Sequence, residues 1–235
     1  MTGEFVGAVA DQLAVTQPAM AVFSAWAEEW RRYLRGAPPK LTVHRLRGWV
    51  RRRQAQLREE PIRIRRVVAR SMPVRARVLT ISSSSTVTAS ILSLRGAHRP
   101  QEVIALESRP GGEGRSLVRA LRQGGVSARW APDRRMKDVV RAVDLVVVGA
   151  DTVERNGDVI HKVGTRALAR QAHRVGVDFV VITGRSKSRT GPAPRRQLPP
   201  RFDRTPARWV TEYWSDRGAL RKWTSGRDGA ASQRP

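Results

Sequence analysis

The pattern of apolar and polar positions changes character near residue 76. Before that point apolar residues recur at helical spacing, through Phe23, Trp26, Trp30 and Leu34, and again through Leu46, Trp49, Val50 and Leu57. Gly36, Pro38 and Pro39 separate two helices, the second predicted over about residues 42–60. From residue 76 onward, short apolar runs alternate with helical stretches. Residues 77–81 (RVLTI), 102–106 (EVIAL), 144–148 (DLVVV) and 178–182 (DFVVI) are rich in Val, Ile and Leu and bounded by turn residues, the signature of strands buried on both faces. Between them, residues 84–95, 112–124, 133–142 and 162–176 carry helical periodicity, several ending in Gly. This alternation predicts right-handed βαβ crossovers, and hence an α/β fold with a doubly wound parallel sheet preceded by a small helical domain over residues 1–75.

Residues 184–208 form a Pro- and Arg-rich excursion, expected to be mobile in part, with order resuming at 209–214. The sheet domain is therefore expected to span residues 76–215. A tail from residue 216 is expected to be disordered, above all in its last ten residues.

In a doubly wound sheet, ligands bind at the carboxyl ends of the strands, so the loops after Ile81, Leu106 and Val148 are where chemistry is expected. The first loop holds Ser82, Ser83, Ser84, Ser85 and Thr86 at a helix start. Small hydroxyl residues there cap free amides and leave others aimed outward, a ready phosphate or carboxylate site, although Ser84 could equally be only an N-cap. The second loop, ESRPGGEG at 107–114, offers Arg109 for a bidentate anion contact and Glu113 in the first helical turn, where a carboxylate suits the macrodipole or accepts sugar hydroxyls. The third, at 149–164, places Asp151 just past a hydrophobic strand, where a carboxylate has no packing purpose. Asn156-Gly157 signals a tight turn. Lys162 is expected at a helix start, where a cation opposes the macrodipole unless an anion sits between them. His161 could assist, although a surface histidine is ordinarily incidental.

Composition changes this picture in two ways. The chain has 45 Lys+Arg against 20 Asp+Glu, a formal net charge of +25, and no cysteine. The missing cysteine excludes disulfides, thiolate metal sites and thiol nucleophiles, so catalysis would run on oxygen or nitrogen side chains. No cofactor or metal is expected. The charge excess lies in the flanks, whereas residues 78–184 hold 16 basic and 10 acidic groups. Arginine-rich flanks leave open an RNA or acidic protein partner. Only five basic residues are lysines, a bias that a GC-rich coding sequence would also produce. No apolar run approaches the roughly 20 residues of a membrane helix, and residues 1–15 lack a basic leader, so no membrane contact and a cytoplasmic location are expected.

Five motifs carry a resemblance. They are T-x-S-x-S-x-x-V at 80–87, E-S-R-P-x-x-E-G at 107–114, G-A-D-x-V-x-x-N-G-D at 149–158, K-x-G-T at 162–165 and F-D-x-T-P at 202–206. From residue 77 to about 214 the chain resembles the family that joins the alpha, beta and delta subunits of eukaryotic initiation factor 2B to the isomerases of methylthioribose 1-phosphate and ribose 1,5-bisphosphate. The resemblance implies a Rossmann-like sheet behind a helical domain, dimers formed through the Rossmann-like domains, and a sugar-phosphate pocket. It places the isomerases' catalytic aspartate on Asp151, their substrate-binding Asn-Lys pair on His161 and Lys162, their substrate-contacting glutamine on Glu113 and their catalytic cysteine on Ser82. A local R-G-A-P at 35–38 resembles an isomerase substrate segment but lies too near the serine loop in sequence. A serine hydroxyl is a far weaker acid than a thiol and a poor proton donor at neutral pH. The leading expectation is an initiation-factor-2B-like protein that binds a phosphorylated sugar or nucleotide without turnover and acts as a homodimer. The alternatives are an aldose-ketose isomerase using Asp151, with Ser82 or water in place of the thiol, and an RNA- or ribosome-associated factor.

Overall fold

In the near-continuous apolar runs of the central strands, successive side chains nevertheless part to opposite faces, as the two-residue period of a strand requires. The computed structural model describes residues 12, 28–33, 43–189 and 198–223. In β1 (Arg77–Ile81), Val78 joins one core layer while Leu79 and Ile81 join the other. The same division sends Leu145 and Val147 of β4 (Leu145–Val148) one way and Val146 and Val148 the other. In β7 (Asp178–Ile182) it separates Val180 and Ile182 from Phe179 and Val181. Two cores, one on each face, are what a doubly wound sheet needs.

The main sheet has seven strands in the order β10-β9-β7-β4-β1-β2-β3, with β2 at Glu102–Leu106, β3 at Ala128–Ala131, β9 at Glu212–Ser215 and β10 at Gly218–Leu220. All neighbours are parallel except β9 and β10. The expected strands fall where the pattern put them, β4 starting one residue later. β3 was not expected: its Arg129 and Trp130 are exposed and only its terminal alanines are buried, so this edge strand has no apolar run to betray it. Residues 216–223, expected to belong to a disordered tail, are ordered instead, because β10 pairs with β9 and Trp223 packs on Tyr213. The last ten residues lie outside the described residues.

The helix expected over 42–60 continues as α1 (Val43–Ser71), straight through Pro61. Ile64, Val68 and Met72 are buried on its continuing stripe. At about 1.5–3 kcal/mol for each buried apolar side chain, their packing exceeds the roughly 3 kcal/mol that an internal proline costs. On the amino-terminal half of α1, Arg47, Arg51, Arg52 and Arg58 are exposed, whereas Arg53 pairs with Glu29 at 3.3 Å.

α2 (Ser85–Ser93), α3 (Glu113–Gln123) and α5 (Thr165–Val175) lie within the predicted helical stretches. The stretch at 133–142 is instead broken into one α-turn, α4 (Met136–Val139), between two 3-10 turns. A second sheet, not expected from the sequence pattern, is formed by β5 (Thr152–Val153), β6 (Val159–Lys162) and β8 (Phe202–Thr205), all antiparallel. Asn156-Gly157 does form the turn between β5 and β6: Gly157 N–H donates to Glu154 O at 2.9 Å, with Gly157 at φ +89°. β8 lies inside the segment expected to be mobile, and its partner β6 gives it order. Residues 190–197 of that segment lie outside the described residues, as does the segment at 35–38.

Candidate functional site

Strand order reverses beside β1, whose chain continues to β2 on one side while β4 lies on the other. The loops leaving Ile81 and Val148 therefore diverge and open a crevice at the carboxyl ends of the strands. Ser84, the N-cap of α2, accepts from Val87 N–H at 3.4 Å. Its neighbours in the first turn, Ser85 and Thr86, present amides for which a helix has no internal acceptor. Ser82 sits at φ +68°, a left-handed conformation unusual for a residue with a side chain. It is held there by its N–H, which donates to Ser108 Oγ at 2.6 Å. Ser108 is itself left-handed, at φ +67°, and its amide donates to Asp133 Oδ1 at 2.9 Å. Strain at two facing serines, supported by a chain of hydrogen bonds, ties the first loop to the second.

Asp133 also accepts the Arg109 amide at 2.8 Å, fixing the backbone of the second loop. The Arg109 side chain is 74% exposed and lies 3.7 Å from Glu107, so the structure leaves it on the rim. Glu113 opens α3, as expected. Its Oε1 accepts from Lys162 Nζ at 2.5 Å, and its Oε2 is buried with no partner among the described residues. Gly111 is needed beside it, because a Cβ there would strike the Glu113 carboxylate.

Lys162 was expected at a helix start, opposing the dipole. It instead ends strand β6, and α5 starts at Thr165. The anion at that helix terminus comes from β8: Asp203 accepts from Gly164 N–H at 2.8 Å and from Arg166 N–H at 3.1 Å. The anion at this helix terminus is thus a carboxylate of the chain itself.

His161, expected at the surface, is buried at 5% exposure. The Thr165 hydroxyl donates to Lys162 O at 2.6 Å, so its oxygen accepts from His161 Nδ1–H at 3.2 Å. That assigns the neutral tautomer with its proton on Nδ1. Burial, together with the Lys187 and Lys162 charges, lowers His161 to about 3. A Cβ on Gly149 would fall against Ser84 and 3.4 Å from His161 Nε2, so glycine is what lets the first and third loops meet.

Asp151 is half-buried beside this cluster, and its amide donates to Ile160 O at 2.9 Å. Burial raises its carboxyl above the ordinary range, against the opposing pull of Lys187. Lys187 donates from Nζ to Ala150 O at 2.7 Å, and burial lowers its ammonium despite Asp151 and Glu60. The structure therefore brings Ser82, Ser84, Glu113, Asp151, His161 and Lys162 around one crevice, with Ser83 and Ser85 exposed and Thr86 half-buried on the first turn of α2. Sequence reasoning missed Lys187, which lies in a 3-10 turn (Arg185–Lys187) within the segment expected to be mobile. One signal was available: in a chain whose basic residues are nearly all arginine, two of its five lysines, Lys162 and Lys187, stand here.

Among the described residues there is no cluster of potential metal ligands, and no helix is long and apolar enough to cross a membrane. The sequence profile of the family described as "Initiation factor 2 subunit family" matches residues 6–190. The chain is 38% identical over 104 residues to ribose 1,5-bisphosphate isomerase of Archaeoglobus fulgidus, covering 44% of this chain and 33% of that protein. It is 31% identical over 160 residues to methylthioribose-1-phosphate isomerase of Heliobacterium modesticaldum, covering 54% and 46%. The fold is similar to the crystal structure of the Pyrococcus horikoshii translation initiation factor eIF-2B, with a TM-score of 0.79 at 23% identity over 93% of this chain and 82% of that one. The chain spans about a third of the length of the first of these curated relatives and under half of the second.

Proposed function

The chain belongs to the Initiation factor 2 subunit family, and from that premise we propose that it binds a phosphorylated sugar in the crevice without the turnover of its isomerase relatives. The observation that carries this reading is a pair of cations at the carboxyl end of the sheet, the buried Lys162 on Glu113 and the half-buried Lys187 beside Asp151. The first-turn amides of α2 and the two ammonium groups suit a phosphate. The carboxylates of Asp151 and Glu113 suit sugar hydroxyls, and Glu113 Oε2, without a partner among the described residues, is an acceptor for a ligand donor. Ser82 occupies the position of the isomerases' thiol, and its hydroxyl lacks the acidity to exchange protons at neutral pH.

In this reading residues before 76 form a helical domain, the Rossmann-like sheet follows, and two copies pair through the sheet domains. The direct test is calorimetric titration with ribose 1,5-bisphosphate, ribose 5-phosphate and methylthioribose 1-phosphate, with NMR observation of the sugar over hours. Saturable binding of at least one without ketose formation is expected. Rapid conversion to the ketose overturns the non-catalytic part, and no binding by any of the three overturns the ligand class. Light scattering of the purified chain tests the dimer.

One observation favours a second reading. Burial moves both Asp151 and Lys187 toward their neutral forms, the direction that tunes an acid and a base to neutral pH. An isomerase would then carry the proton on Asp151. Asp151→Asn abolishes conversion if that is so, while circular dichroism stays unchanged.

A further inference from the structure

The turn that carries Lys187 is held from outside the sheet. Glu60, on α1, accepts the Ser186 hydroxyl on Oε1 at 2.5 Å and the Ser186 amide on Oε2 at 2.8 Å. Both oxygens of one carboxylate thus cap a single 3-10 turn across a sequence separation of 126. Gly184, the N-cap of that turn, leaves the space: a Cβ there would collide with the Glu60 carboxylate. One residue after Ser186, the Lys187 ammonium reaches Ala150 O beside Asp151. The turn is fastened on its other side as well, where Arg189 N–H donates to Val153 O at 2.9 Å.

We propose that Glu60 is a positioning residue of the sugar-phosphate pocket: by clamping Ser186 it fixes the Arg185–Lys187 turn and so keeps the Lys187 ammonium over the crevice beside Asp151. This rests on the reading of the crevice as a sugar-phosphate site. It gives α1 a part in ligand binding without any contact to the ligand. The helix acts through one carboxylate, whose full charge strengthens both bonds to the turn. Glutamine in its place keeps an acceptor for the Ser186 amide but turns an NH2 group to the Ser186 hydroxyl, which must then accept instead of donate, and both bonds lose their charge assistance.

The experiment compares wild type, Glu60→Gln, Lys187→Met and the double variant in titrations with ribose 1,5-bisphosphate and ribose 5-phosphate. NMR titration of the Asp151 carboxyl in selectively labelled protein is the second readout. Glu60→Gln is expected to weaken binding about tenfold with a thermal midpoint close to wild type. It is expected to add little to Lys187→Met, and to move the Asp151 titration to higher pH as the ammonium drifts away. An unchanged Asp151 titration in Glu60→Gln overturns the positioning role, as does an equal loss of affinity with and without Lys187. If wild type binds neither sugar, the ligand reading fails for these sugars, while the Asp151 titration still decides the role of Glu60. Should Glu60→Gln fail to fold, Ser186→Ala removes the hydroxyl half of the clamp and is read in the same way.

Discussion

Lys162 and Glu113, 49 positions apart, meet in one hydrogen-bonded ion pair of 2.5 Å in which the lysine is buried and the second carboxylate oxygen has no partner among the described residues. A pair closed in this way neutralises two charges that would otherwise face an empty crevice. It also stores an acceptor and a cation that a ligand can redirect.

Removing one partner leaves the other buried and uncompensated. Lys162→Met is expected to lower stability by about 1–3 kcal/mol, because a buried polar group loses its partner. It should also weaken sugar-phosphate binding at least tenfold. Glu113→Gln keeps an acceptor for the ammonium and should cost less on both counts. Denaturant melts and calorimetric titration of the two variants measure the difference.

Restoring a thiol tests what the serine withholds. Ser82→Cys is expected to keep the fold and to produce measurable ketose from ribose 1,5-bisphosphate where wild type yields little, since a thiol brings its acidity within reach of neutral pH. An NMR time course of the sugar with equal amounts of the two proteins reads the change directly.

His161 gives the fold an acid-sensitive element. Its folded value, about 3, lies below the unfolded 6.5, so the unfolded chain binds a proton that the folded chain refuses. The contribution is present above pH 6.5 and is lost as pH falls from 6.5 toward 3, at about 1.4 kcal/mol per pH unit. Asp151 has the opposite sign, because its raised value favours the folded state at lower pH. The clean observable is therefore the difference in stability between wild type and His161→Gln, which should shrink or reverse on acidification over that interval.

Two glycines separate folding from binding. A Cβ on Gly114 would drive into the carbonyl of Leu106, which is backbone of β2 and cannot yield. Gly114→Ala should therefore destabilise the chain by more than about 3 kcal/mol, beyond the range of ordinary substitutions. A Cβ on Gly149 would meet the Ser84 side chain, which can rotate at the cost of its capping bond to Val87. Gly149→Ala should lose about 1 kcal/mol, the worth of an N-cap, together with much of the ligand affinity. Thermal melts and titrations of both variants separate the two effects.

The candidate site was legible where chemistry follows from position along the chain. Ser82 and Asp151 stand just past strands and Glu113 opens the helix that follows one, and the carboxyl ends of strands in such a sheet are where side chains are free of packing duties. For His161 and Lys162 position along the chain misled: the first is buried rather than at the surface, and the second ends a strand rather than starting a helix. The apparent helix start was a strand end, and the anion inferred at the helix terminus was Asp203, which comes from a strand that pairs in register with Lys162 itself. Arg109 carried the right charge, but its backbone is fixed and its guanidinium is left on the rim.

By itself the sequence determined the elements whose hydrophobic period is local and strong. The central strands, the amphipathic helices behind them, the order in which they alternate and the absence of any thiol can all be read within windows of a few residues. Tertiary structure alone decided the rest, because those features depend on partners far along the chain. β3 exists because β2 offers it hydrogen bonds, and β8 because β6 does. α1 passes Pro61 because the buried stripe beyond it outweighs the proline. Lys187 reaches Ala150 O, beside Asp151, from a turn whose Ser186 is bonded by a carboxylate on that same helix. A single hydrogen bond between distant residues leaves no period in the sequence, and the ammonium beside Asp151 is placed by such bonds.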